Sequence, residues 1–142
     1  MFLKGIYWGI QAAIPHMKNQ KSCVILNTAS IKAIRPRPGN SMYSASKAAT
    51  VNLTISLALE LAEYGIRVVG INPVATATPM LKEFIGKDTE FNTGKEKYEA
   101  SIPLGKVAKP EDIANAASFL VSNDAAMVTG SFIDVVDGGR GI

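Results

Sequence analysis

The sequence predicts an α/β fold built on a small parallel sheet of about three strands, with helices on its faces. Two observations predict it. Short apolar runs recur at Cys23 to Thr28, Ile66 to Asn72 and Gly130 to Val136, each bounded by polar residues or by Pro and Gly. Between them lie longer segments with apolar residues at helical spacing. Strands that alternate with helices imply parallel pairing through right-handed crossovers.

Taken in order, apolar residues recur at near-helical spacing from Leu3 to Met17, and Pro15 with the polar group Lys18 to Ser22 is expected to end that helix. Cys23 to Thr28 suits a strand buried on both faces. Ala29 to Ser41 reads as a loop punctuated by Pro36, Pro38 and Gly39. Asn40 or Ser41 caps a helix that runs to about Glu63, on which Ala45, Ala48, Ala49, Leu53, Leu57 and Leu61 form a small, apolar surface. That surface packs inside the domain or against a partner helix. Tyr64 and Gly65 close the helix, and Pro73 ends the strand that follows. The stretch from Val74 to Lys109 is less regular, with short helices expected at Pro79 to Ile85 and around Lys95 to Ser101. Met80, Leu81, Phe84 and Ile85 fit either a substrate surface or plain core. Pro110, Glu111 and Asp112 start the last helix, with proline in its first turn and two acids at its positive end. Its apolar face is Ile113, Ala116, Ala117, Leu120 and Val121, and Asp137-Gly138-Gly139 turns the chain out of the third strand.

With 142 residues, 47% of them hydrophobic and 19% charged, the chain reads as one globular domain spanning 1–142. The net charge of +3 is small and scattered, with Arg35 and Arg37 the nearest approach to a patch, so no nucleic-acid partner is expected. A single cysteine, Cys23, excludes an internal disulfide framework and favours a reducing, cytoplasmic location. Since His16 is the only histidine, no protein-only metal site is expected. Lys4 precedes an apolar stretch, but Gln11 interrupts it in the manner of an amphipathic helix and not a signal peptide. No run approaches the ~20 apolar residues of a membrane span, so a soluble protein with no membrane partner is expected.

The segment Asn27 to Lys47, NTASIKAIRPRPGNSMYSASK, holds the candidate chemistry. Tyr43 and Lys47 are four positions apart, which puts both on one helix face. An ammonium beside a phenol stabilises the phenolate and is expected to pull the tyrosine below its usual pKa of ~10. A tyrosine tuned in that way passes protons at neutral pH. Ser30 stands where the first strand would end, and its hydroxyl can hold a substrate oxygen beside the phenol.

Ser30, Tyr43-Ser-Ala-Ser-Lys47, Gly65-Ile-Arg-Val68, Asn72-Pro73 with Thr78-Pro79, Pro110-Glu-Asp-Ile-Ala114 and Asp137-Gly138-Gly139 occur in one order and at one set of spacings. In this combination the chain resembles the short-chain dehydrogenase/reductase family, in a form similar to 3-oxoacyl-carrier-protein reductases. The resemblance implies the C-terminal, catalytic half of a Rossmann-like doubly wound parallel sheet, without the N-terminal dinucleotide-binding βαβ units. It implies NAD or NADP as cofactor and a small carbonyl or alcohol as substrate. Tyr43 is then the general acid/base, Ser30 holds the reacting oxygen, and Lys47 lowers the Tyr43 pKa and binds the nicotinamide ribose. Tyr43 counts with Lys47, Pro73, Thr76 and Thr78 among the cofactor-binding residues, the last three lining the nicotinamide, and Met80 to Leu104 form a substrate lid. The family's dimer interface implies a homo-oligomer through the helices 3–17 and 41–63.

The departures from the family pattern are specific. Phe2 stands where the family has a catalytic asparagine, Val74 replaces the glycine after Pro73, and Val69 replaces a common asparagine. The Gly-rich phosphate loop has no counterpart, which leaves an open edge on the first strand and makes a non-catalytic interaction module, or a fragment of a longer enzyme, the alternative reading.

Overall fold

The computed structural model describes residues 2–20, 22–85 and 90–134. Its elements run α1 (Phe2–Gln20), β1 (Cys23–Thr28), α2 (Ser41–Leu61), β2 (Ile66–Ile71), α3 (Leu81–Ile85), α4 (Phe91–Ala100), α5 (Pro110–Val121) and β3 (Phe132–Ile133). The strands form one sheet in the order β1-β2-β3, and both pairings are parallel. Cys23 faces Ile66 and Thr28 faces Ile71 at the two ends of the first ladder.

Alternation along the strands sends apolar side chains to both faces of the sheet. Ile66 and Val68, with Cys23 and Ile25, pack against Ile10 of α1 and Leu57, Ala58 and Leu61 of α2. Val69 and Ile71, with Val24 and Leu26, pack against Leu120, Ile113 and Ala117 of α5. This is the two-sided burial that the continuous apolar runs predict. Arg67 points to the α5 side, where Nη1 donates to the carbonyls of Leu120 (2.8 Å) and Val128 (3.2 Å) and Nη2 to that of Ser122 (3.0 Å). A fixed cation thereby satisfies the C-terminal carbonyls of α5.

Several boundaries differ from the sequence expectation. α1 continues through Pro15 to Gln20, because Pro15 is exposed and water can take the backbone bond that proline cannot make. Helix α2 passes at Leu61 into a tighter turn, Ala62–Tyr64, which Gly65 ends at φ 68°, a conformation that suits glycine. Among the described residues the third strand covers Phe132–Ile133. Val135, Val136 and Asp137-Gly138-Gly139 lie outside the described residues.

The inward face of α2 coincides only in part with the small, apolar surface read from the sequence, through Leu57 and Leu61 with Leu53 packed beside them. Its buried residues are Ser44, Lys47, Thr50, Thr54, Leu57, Ala58 and Leu61, while Ala45 and Ala48 are exposed. Thr54 Oγ1 accepts from Asn27 Nδ2 at 2.9 Å and donates to the Thr50 carbonyl at 2.8 Å, so the threonines of this polar stripe are bonded, while the buried Ser44 hydroxyl has no partner among the described residues. The stripe is the continuation of the line that carries Tyr43 and Lys47. Among the described residues no helix is long and apolar enough to cross a membrane.

Candidate active site

Ser30 is placed by an extension of the β1–β2 ladder. The Ala29 amide donates to the Ile71 carbonyl at 2.9 Å and the Ile31 amide to the Pro73 carbonyl at 3.2 Å, which ties both sides of Ser30 to the end of β2. Ser30 is 7% exposed and caps a short turn, Ile31–Ala33, its Oγ accepting from the Lys32 amide at 3.2 Å. An accepted bond leaves the hydroxyl proton for a bound oxygen.

Tyr43 and Lys47 come from the first turns of α2. Tyr43 is 37% exposed, at the end of the helix whose dipole favours negative charge. Lys47, one turn on, is 9% exposed and donates from Nζ to the Thr28 carbonyl at 2.9 Å. Its Nζ lies 5.8 Å from the centroid of the Tyr43 ring. Burial pushes the Lys47 ammonium below its ordinary pKa of 10.5, since a desolvated cation is disfavoured.

Ser30, Tyr43 and Lys47 open on one cavity of about 490 Å³, and Pro73, Thr76 and Thr78 line it as well. All six candidate residues are therefore brought together. The Thr76 hydroxyl donates to the Val74 carbonyl at 3.0 Å and that of Thr78 to the Thr76 carbonyl at 3.4 Å, which fixes the loop and leaves oxygen lone pairs as acceptors. The segment after β2 divides as its residues do. Leu81 is buried with Ala75, Ile102 and Val107 in a third cluster, packed by Ile85, while Met80 is exposed on the cavity wall.

The cavity also recruits residues that sequence reasoning did not place in it: Lys32, Arg35 and Arg37 from the loop after Ser30 and Ile113 from α5; Tyr98 from α4, within the segment expected to form a lid, lines it too. Arg35 and Arg37 stand out in the sequence as basic, but no periodicity says which way an irregular loop turns. Tyr98 arrives from α4, far along the chain from Tyr43, and only the third cluster brings it over the site.

The donor set fits the nicotinamide-ribose end of a dinucleotide. Lys47 offers an ammonium, Thr76 and Thr78 offer hydroxyl oxygens, and Pro73, Val74 and Ala75 offer apolar lining. Among the described residues no Gly-rich turn from strand to helix opens on the cavity to take a pyrophosphate.

Residues 2–140 match the family model described as enoyl-(acyl carrier protein) reductase. The chain is 47% identical over 141 residues to 4-formylbenzenesulfonate dehydrogenase of Comamonas testosteroni, covering 99% of this chain and 55% of that protein. It is 36% identical to the 3-oxoacyl-[acyl-carrier-protein] reductase of Thermotoga maritima, over 96% of this chain and 53% of that one. Among solved structures, the 3-ketoacyl-(acyl-carrier-protein) reductase of Brucella melitensis complexed with NADH superposes with a TM-score of 0.85 at 46% identity, covering 97% of this chain and 54% of that one. The chain thus spans about half the length of the relatives it matches. Landmark residues, a parallel sheet flanked by helices and matches over nearly the whole sequence agree, and the chain belongs to the short-chain dehydrogenase/reductase family.

Proposed function

We propose that this chain carries the catalytic half of an NAD(P)-dependent oxidoreductase that interconverts a carbonyl compound and an alcohol. The observation that carries the reading is the convergence of Ser30, Tyr43 and Lys47 on one cavity with Pro73, Thr76 and Thr78. The relatives' names support it, since they describe dehydrogenases and reductases. A bound nicotinamide supplies or accepts the hydride. The Ser30 hydroxyl donates to the substrate oxygen and holds it beside the phenol. Tyr43 gives its proton to that oxygen in reduction and takes it back in oxidation. The Lys47 ammonium, 5.8 Å from the Tyr43 ring centroid, stabilises the negative charge left on the phenol and holds the nicotinamide ribose. Thr76 and Thr78 border the nicotinamide with Pro73. Met80 and Tyr98, from the segment that the resemblance implies as a substrate lid, border the substrate, and a cytoplasmic setting suits the single thiol.

Titration of the chain with NADH and NADPH, followed by nicotinamide fluorescence, tests cofactor binding; no binding up to millimolar cofactor sinks the reading for this chain. Where turnover of an aldehyde is measured, Tyr43→Phe is expected to lower it by roughly 10²–10⁴-fold with cofactor affinity kept. A variant as active as the parent removes Tyr43 from the mechanism.

A second reading rests on a different observation. A groove between α1 and α2, lined by Leu3, Tyr7, Ala49 and Leu53, lies beside the exposed Trp8, and β1 is the edge strand of the described sheet. We infer that these surfaces serve self-association, with the helices 3–17 and 41–63 as the contact.

A further inference from the structure

The loop between Ser30 and Tyr43 carries Lys32, Arg35 and Arg37, and all three line the cavity that Ser30, Tyr43 and Lys47 open on. Four cations therefore border one cavity in a chain whose whole net charge is +3, and the described lining residues include no Asp or Glu. Lys95 with Glu99 is the ion pair of the described residues, and none of Lys32, Arg35 and Arg37 takes part in one. Carboxylates ordinarily balance clustered cations, and a cavity whose described lining carries cations without carboxylates concentrates anions.

The basic loop is anchored. The Ala33 amide donates to the Ser30 carbonyl at 2.8 Å, and the Arg35 amide to the Ile31 carbonyl at 2.9 Å. The Asn40 amide closes the far side on the Arg37 carbonyl at 3.3 Å. Ser30 is thus both the expected oxygen donor and the cap of the turn that carries Lys32. Lys32 is half-buried and Arg35 and Arg37 are exposed, so Lys32 is the most desolvated of the three cations. Burial, and then the Arg37 guanidinium, push the Lys32 ammonium below its ordinary range. An anion bound between them relieves that repulsion. The same cavity is also lined by apolar side chains, among them Met80, Val74 and Ile113. At about 490 Å³ the cavity is of small-molecule size, which suits a compact carbonyl compound better than a polymer spread over a face.

We propose that the substrate is a small aldehyde, ketone or alcohol bearing a carboxylate or sulfonate, with Lys32, Arg35 and Arg37 holding that anion while Ser30 and Tyr43 face the carbonyl. The carbonyl end rests on the oxidoreductase reading; the anion end rests on the cationic loop alone.

The test compares 4-formylbenzoate with 4-formylbenzamide, two aldehydes of nearly equal shape that differ by one charge, by calorimetric binding to the whole chain at low ionic strength. The anion is expected to bind about tenfold more tightly. Added salt shrinks the difference, since the Arg side chains are exposed to screening. The triple variant Lys32→Gln/Arg35→Gln/Arg37→Gln, checked for an unchanged thermal transition, is expected to bind the two probes alike. Equal binding by the parent chain, binding of neither probe, or a preference that survives in the triple variant overturns the proposal. NADH oxidation with the amide probe reports on the oxidoreductase reading separately. A retained anion preference without any turnover counts against that reading and leaves the anion site standing.

Discussion

Lys47 brings an ammonium group into a position only 9% exposed, where the Thr28 carbonyl is the hydrogen-bond partner of its Nζ at 2.9 Å. A carbonyl compensates the lost water in part, and burial still holds the pKa below 10.5. The sign of the consequence follows from proton counts. In the window between the lowered folded-state value and 10.5 the unfolded chain binds more protons, so stability attributable to Lys47 rises with pH there. Below that window both states carry the charge and the folded state bears the desolvation cost. Chemical denaturation of the parent and of Lys47→Met across alkaline pH checks this: the parent is expected to gain relative to the variant as pH rises toward 10.5. A pH-independent difference would show that burial of Lys47 does not couple to folding. At this scale the sequence was most legible for Tyr43 and Lys47, because four-residue spacing on a helix fixes a shared face whatever the tertiary context. It was least legible for Lys32, Arg35 and Arg37, whose direction is set by bonds from the loop backbone to Ser30, Ile31 and Arg37.

At the scale of elements, β2 is the strand on which the others are assembled, and Gly70 shows how tightly. It pairs with Phe132 across the β2–β3 ladder, and a Cβ on Gly70 would collide with the Phe132 ring. Gly70→Ala is therefore expected to destabilise the fold by about 1–3 kcal/mol, the usual cost of overpacking. Phe132→Leu in the same chain should restore part of the loss, because it removes the ring the new methyl meets. Urea denaturation of the two variants measures both effects, and additive losses would place the strain elsewhere. The strands themselves were readable because a strand buried on both faces is an uninterrupted apolar run. The face of α2 was readable only in its C-terminal half, where Leu57 and Leu61 are buried. Its N-terminal half is buried through Ser44, Lys47, Thr50 and Thr54, and a hydroxyl can be buried when it bonds to a carbonyl one turn back, as Thr50 does to Ser46 at 3.1 Å. A count of apolar positions assigns such residues to solvent. Val121 fails in the opposite direction: it continues the apolar pattern of α5 but is exposed at the helix end.

At the scale of the whole molecule two surfaces compete to explain association, and they can be separated. The sheet order leaves β1 at an edge, and only one of its six residues is fully buried, whereas β2 between its two neighbours is buried almost throughout. An edge of this length invites another strand. The helix pair offers the other surface, with Tyr7 and Trp8 packed edge to face at 5.3 Å and both exposed beside the α1–α2 groove. Large aromatic side chains in solvent next to a groove are characteristic of interface cores. The helix pair also has the more complete surface, because it presents side chains from two elements while the edge presents backbone alone. Sedimentation over a wide concentration range is expected to show self-association of the parent chain. Tyr7→Glu with Ala49→Glu places two carboxylates in the groove, and neither residue belongs to the buried core. Facing copies then repel, and the sedimentation coefficient should fall to that of the monomer with the thermal transition unchanged. Association that survives both charges would run through β1 instead, and a stable parent monomer at every concentration would remove both surfaces as self-association sites.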